Sequence, residues 1–477
     1  SPSVTPTTAP SLHPSLSPSV TSTTAPSCLP TTVSFINNST QDFGAFPTYS
    51  VRNGFAFAAL APDGSVRSWG EAPHGGNSSA VAGQLSGGVA EVIPSRSAFT
   101  ALTAGGSVAV WGASSLISGG GAYSAYTNIT AVVANEGAFA GISGGGLVAF
   151  GSHHSGGQLR AAEWCAGSPG GCAGMTVLSL HATAGAFAAL LSDATLYTWG
   201  NAHAGAVVPV ALRSLLQNVV QVAATRDAFA VLRSDGRVVA WGSSIGGGDT
   251  SSVDQDLQSG VMYLSSSRAL FAAVKANGKL VVWGGGPYGG DTTAVQSLIS
   301  EGVVAVAYTF TAVSALKSDG TVVAWGKADG GGDSSAVQIQ LQDIVKIYSN
   351  SRAFAALSAA GGVVAWGKAS DGGQIPTDQV GALSSGVVSI YSTNRAFAAL
   401  KDDGSVVVWG QAGHGSSPGA AVEALLSSGV HTICSNDVAF SAIKTDGSVV
   451  AWGHAVSVPV PGVQFTAAAL VSGTVCA

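Results

Sequence analysis

Charge is scarce in this chain of 477 residues. Asp, Glu, Lys and Arg together make 9% of it, and the net charge is −6. Nineteen Lys and Arg over that length cannot build the dense basic face that nucleic acid requires, which argues against DNA or RNA as a partner. Long apolar runs are missing too: Gly, Ser or Asp interrupts every Ala/Val-rich stretch before 18 residues, so the positive hydropathy points to buried strands and not to a membrane span. Methionine occurs only at Met175 and Met262 and the chain starts at Ser1, from which a processed product with a removed N-terminal signal is expected. Cysteine is held to five, an odd number that in an oxidising compartment leaves one thiol free or available to another chain.

Glycine, by contrast, supplies 65 residues, and much of it serves one phrase repeated ten times. Phe-x-Ala-Leu leads to a Gly turn and then Val-x-Trp-Gly, complete in the stretch from Arg395 to Gly410. Its closing aromatic stands at Trp69, Trp111, Phe150, Trp199, Trp241, Trp283, Trp325, Trp366, Trp409 and Trp452, spaced by 42, 39, 49, 42, 42, 42, 41, 43 and 43 residues. Periods of this size belong to propellers, solenoids and other arrays in which each unit buries its apolar face on a neighbour. An all-β array of ten units is therefore expected over residues 33–477, propeller-like or an open β-solenoid, and the aromatic column should carry it. Loss of one buried Trp costs on the order of 3–5 kcal/mol.

Each unit reads as an apolar strand, a tight turn such as Asp63-Gly64, Asp403-Gly404 or Asp446-Gly447, and a second strand ending in Trp-Gly. Such pairs suit two-residue hairpins with positive φ. A Gly/Ser loop follows, then a short helical candidate such as Ala336 to Leu341, and the unit closes on a third strand such as Gly386 to Tyr391. The last unit is abbreviated. Val463 to Leu470 opens a further hairpin that either caps an open array or completes a ring by pairing with the strand near Val33 to Ile36.

Residues 1–32 follow a different rule, an x-Pro-[Ser/Thr]-x tetrapeptide. Pro2-Ser3, Pro6-Thr7, Pro10-Ser11, Pro14-Ser15, Pro18-Ser19, Pro26-Ser27 and Pro30-Thr31 keep the register, which is broken only at position 22. Proline at every fourth residue excludes helix and favours polyproline II, roughly 90 Å long at 3.1 Å per residue, with hydroxyls on all sides. These positions are candidates for O-glycosylation or hydroxyproline, and a disordered Pro/Ser/Thr linker is the plainer reading.

The order of strand, Phe-Ala-Ala-Leu hairpin, Asp-Gly turn and Val-x-Trp-Gly resembles the regulator of chromosome condensation repeat, as do Gly83-Gln84-Leu85, Gly157-Gln158-Leu159 and Gly373-Gln374-Ile375. The resemblance implies a propeller-like fold, and an exchange factor or scaffold as one function. The family's usual His before the Leu strand is Ala or Phe here, and there are ten units where the family has seven.

Candidate sites are few. Cys165 and Cys172 bracket Ala-Gly-Ser-Pro-Gly-Gly inside the one overlong repeat and are expected to form a disulfide. Cys28, Cys434 and Cys476 are either reduced, or Cys28 bridges to one of the others within or between subunits. Sequons at Asn37, Asn38, Asn77 and Asn128 all lie in the first third. Asp249, Asp291 and Asp333 recur after Gly-Gly and suit Asx turns or helix caps better than a calcium column, since one carboxylate per loop is too few for a hard cation. Arg96, Arg226, Arg268, Arg352 and Arg395 precede the Phe strand and could alternate with the turn aspartates as an inter-unit ion-pair ladder. Nine His lack ligand spacing, so no metal and no cofactor are expected, and no nucleophile, base and orienting group occur together. The expectation is a secreted, glycosylated structural protein that polymerises with itself into an extracellular filament or surface appendage. An adhesion propeller and an intracellular condensation-regulator-like protein are the alternatives.

Overall fold

The computed structural model describes residues 53–61, 63–113, 126–159 and 175–454, and the pairing of two further strands, Ser34–Phe35 and Val458–Gln464. The chain divides between Pro30 and Thr31. The tetrapeptide tail lies outside the described residues; the larger unit consists of ten separate antiparallel sheets, nine three-stranded and one four-stranded. Numbered in chain order they occupy 34–70, 89–112, 129–151, 177–200, 219–242, 261–284, 303–326, 344–367, 387–410 and 430–464.

The strand expected to close each unit opens the next sheet instead. Val387–Ser392 pairs with Ala396–Lys401, which pairs with Val406–Gly410. The middle strand is buried almost throughout because both its faces meet other sheets. In unit 5, Ala228, Ala230 and Leu232 pack against Phe271 and Trp283 of unit 6, while Phe229 and Val231 pack against unit 4. Small side chains on one face receive the large ring pair of the following unit, so Ala-Phe-Ala-Ala-Leu encodes a head-to-tail order, with the interdigitation that close packing demands.

The turns are one residue longer than expected. Gly404 N donates to Lys401 O and Lys401 N to Ser405 O, a three-residue loop, and only the glycine takes positive φ, +75°. This is a type I turn with a bulge and not a two-residue hairpin, because Asp caps its own loop: Asp403 Oδ1 accepts from Ser405 N at 2.8 Å. The turn also ties units together. At all nine junctions its carbonyl accepts from the first strand of the next sheet, as from Val430 N to Gly404 O at 2.9 Å.

Helix is confined to connections. The candidate at 336–341 is only a 3-10 turn, Gln338–Gln340; among the described residues the longest helix is Ala420–Leu426. At the last unit, Val458–Gln464 adds a fourth strand to the outer edge, with Val450 opposite Pro459 and Ala451 opposite Val458. Ser34–Phe35 pairs inside unit 1, opposite Leu60 and Ala59, and among the described residues no pairing joins the two terminal strands, which is one of the two arrangements the sequence leaves open. Among the described residues no helix is long and apolar enough to cross a membrane.

Candidate functional site

In units 2–10 the first and second strands are joined by a short loop that begins with Ser95, Asn135, Thr183, Thr225, Ser267, Thr309, Asn350, Thr393 or Asn436, and in unit 1 Asn53 stands at the same place before the middle strand. Nine of these ten are buried, and they hold the loop shut. Asn350 Oδ1 accepts from Arg352 N and Ala353 N, and its Nδ2 donates to Asp371 O, 21 residues on, at 2.6 Å. Thr393 Oγ1 repeats this with Ala396 N and His414 O. The residue after the cap then joins neighbouring units by main chain: Ala184 N to Arg226 O, Arg226 N to Arg268 O, Ser351 N to Asn394 O and Asn394 N to Asp437 O, at 2.7–3.1 Å. A Cβ on Gly54 of unit 1 would lie 3.4 Å from Asp437 Oδ2 of unit 10, so the first and last units meet at this ladder.

The arginines sit on the ladder but not with the partners expected. Arg96 and Arg226 share Glu136 at 3.7 and 3.5 Å, and Arg268 stands over the Phe310 ring. The turn aspartates lie past the far end of the middle strand, eight residues on from Arg395 to Asp403 and nine from Arg226 to Asp235, with a six-residue strand of roughly 20 Å between them. They are instead capped locally: hydroxyls of Ser and Thr hold Asp319, Asp403 and Asp446 below the usual carboxylate range. Asp249, Asp291 and Asp333 are Asx turns, accepting from Ser251, Thr293 and Ser335 N at 2.9–3.0 Å.

The aromatic column is a chain of locks. Trp409 stacks on Phe397 at 5.2 Å, and its Nε1 donates to Gly372 O of unit 8 at 2.9 Å. Gly372 has φ +97°, and a Cβ there would meet Phe397 at 2.7 Å, so only glycine lets the ring close on the turn. Trp111, Trp199, Trp241, Trp283, Trp325, Trp366 and Trp452 make the same bond to the preceding unit. Trp69 is buried on Phe57 in unit 1. Phe150, in unit 3, has no indole nitrogen to donate. There a cavity of about 350 Å³ opens along the outer strand Gly146–Gly151, walled by Tyr126 and by the loop carrying His153, Gln158 and Leu159.

The first strands carry a feature that periodicity does not predict. Nine of them break register after their first residue, and the extra residue is turned out of the ladder. In six consecutive units that residue is apolar and 42–58% exposed: Leu178, Val220, Met262, Val304, Val345 and Val388.

Reactive groups do not converge. Ser179 Oγ and His181 Nε2 lie 2.9 Å apart, but desolvation pushes the imidazole down to about 4, too low for a base at neutral pH, and no described carboxylate orients it. Among the described residues no three His, Cys, Asp or Glu are grouped to hold a metal. His153 and His154 lie in an exposed 3-10 turn. Asn77 and Asn128 are exposed. Asn37, Asn38, Cys28, Cys165, Cys172, Cys476 and the tail prolines and hydroxyls lie outside the described residues. Cys434 is buried and disulfide-bonded.

No protein-family model and no curated protein matches the chain. Solved structures similar to it include Prp20p from Saccharomyces cerevisiae, at 17% identity over 50% of this chain and 73% of that one, TM-score 0.30. Human WBSCR16 is similar at 17% over 50% and 76%, also 0.30. The ectodomain of the Physcomitrella patens receptor kinase CR4 is similar at 15% over 70% and 75%, again 0.30. The resemblance to the regulator of chromosome condensation repeat rests on the repeated sequence phrase and the ten like sheets, not on these overlaps. Likeness at that level says nothing of activity or partner.

Proposed function

We propose that this is a secreted, glycosylated structural protein whose array assembles with other copies into an extracellular filament or surface appendage. The observation that carries the reading is the row of bulged, exposed apolar side chains across six consecutive units. Buried surface would stabilise each at about 25 cal/mol per Å², and an apolar row that recurs at the same place in unit after unit marks a surface made for contact. The disulfide at Cys434 and the exposed sequons at Asn77 and Asn128 fit an oxidising, glycosylating route. The tail's prolines and hydroxyls, together with Asn37 and Asn38, supply the remaining modification positions. Electron microscopy of native material is the test. Filaments that are lost when Met262, Val304 and Val345 are together replaced by Ser support the reading; particles that stay monomeric at high concentration sink it.

A further inference from the structure

The arginines beside the caps and the aspartates of the turns stand at opposite ends of the middle strands, so the two rows do not pair within one copy. Among the described residues Arg268 and Arg352 enter no ion pair; the first is exposed over the Phe310 ring and the second is half-buried. At the other end Asp319 and Asp403 are exposed. Each accepts on Oδ1 from the amide and the hydroxyl of Thr321 or Ser405, at 2.6–3.0 Å, and the second carboxylate oxygen takes neither bond. The lysines of that end turn away from the tips: Lys275, Lys401 and Lys444 donate to Asp256 O, Ala382 O and Leu425 O in the connections.

The exposed apolar row belongs to the turn end as well. Val303 N and Val387 N are held by the preceding turns, at Gly278 O and Gly361 O, and the bulged Val304 and Val388 come next. At the cap end Phe310 is 47% exposed. Residues 175–454, which contain all of these positions, are described without interruption.

We propose that the cap end of one copy docks on the turn end of the next, with Arg268 and Arg352 facing Asp319 and Asp403. This rests on the assembly reading above and names the faces that meet. The two arginines stand in units 6 and 8 and the two aspartates in units 7 and 9, so both pairs step by two units and an offset of one aligns them. Copies set like end to like end would oppose arginine to arginine or aspartate to aspartate, which like-charge repulsion disfavours. Exposed ion pairs add little affinity apiece, so the charges fix direction and register while the apolar row supplies the buried surface. A contact between unlike ends is heterologous and extends indefinitely unless geometry closes it.

The test is a charge swap, read by light scattering of the full chain. Arg268→Glu with Arg352→Glu reverses the cap end, and Asp319→Lys with Asp403→Lys reverses the turn end. Unit 8 forms the same turn with Ala360 in place of the aspartate, so the carboxylate is dispensable to it. Each double variant alone should associate about tenfold more weakly than the wild type, or worse. An equal mixture of the two should recover most of that loss, because a reversed cap end then meets a reversed turn end. No recovery in the mixture, or association unchanged by either reversal, overturns the proposal. If a reversal does not fold, neutral variants decide: Arg352→Gln and Asp403→Asn should lose no more together than either loses alone, and additive losses overturn the pairing. Filaments that survive both reversals defeat this joint and leave assembly standing; a wild-type chain that stays monomeric at every concentration defeats both.

Discussion

Unit 9 and unit 3 share a sheet topology and differ at one ring. In unit 9 the indole of Trp409 stacks on Phe397 and reaches back to Gly372 O, so the turn of one unit, the ring of the next and the edge between them are a single closed contact. In unit 3 Phe150 stacks on Phe139 just as closely, at 5.3 Å, but donates nothing, and a cavity lies along its strand. Stacking alone therefore suffices to build a sheet into the array. The hydrogen bond adds a polar tie to the joint, since a buried indole N–H needs a partner and for the eight tryptophans from Trp111 to Trp452 that partner is a glycine carbonyl of the preceding unit.

The largest expected effect breaks unit 9 outright: Trp409→Ala should cost about 3–5 kcal/mol in chemical denaturation, from a cavity no neighbour can fill. Gly372→Ala attacks the same joint from the other side and should cost about 2–4 kcal/mol, since it forces a left-handed residue into the Phe397 ring. Beside unit 3, in unit 4, His181→Phe sharpens the contrast in pH. The wild-type imidazole is depressed in the fold, so it is neutral there and takes up a proton on unfolding. Its stability contribution is complete above pH 6.5 and is lost as pH falls from 6.5 towards 4, on the order of 2 kcal/mol for a group that is not fully enclosed. The variant's melting profile should be flatter across that window; parallel profiles would refute the assignment. Trp409→Phe turns unit 9 into a second unit 3 and should cost only about 1–2 kcal/mol, with Gly372 O left unpaired. A cost as large as that of Trp409→Ala would mean that the indole's bulk, and not its N–H, makes the seal.

Much of the architecture was legible along the chain. The aromatic period marked ten units, and Gly-Gly-Asp loops were readable as Asx turns because Asp249, Asp291 and Asp333 each stand two residues before the amide they accept. The polar caps were present as a pattern, a polar residue three before the Ala that precedes Phe, and went unread because their partners lie 21 residues on. The arginines were misassigned for a related reason: both ends of a strand are close in sequence and far apart in space. The bulge residues could not be found by counting, since a bulge changes register without changing composition. The cavity of unit 3 went unread, since Phe150 in place of Trp shows a lost donor in the sequence and not the space beside it.

Sequence by itself settled the count of units and the place of the Asp-Gly turns, because these depend on interactions within a few residues: period-two burial, glycine's positive φ and the reach of an Asp side chain to its own loop. Tertiary structure alone decided which strand belongs to which sheet, that unit 1 meets unit 10 beside Asp437, and where a cavity lies along an outer strand. Those outcomes turn on main-chain groups, identical in every residue, which choose partners only once packing has brought them face to face.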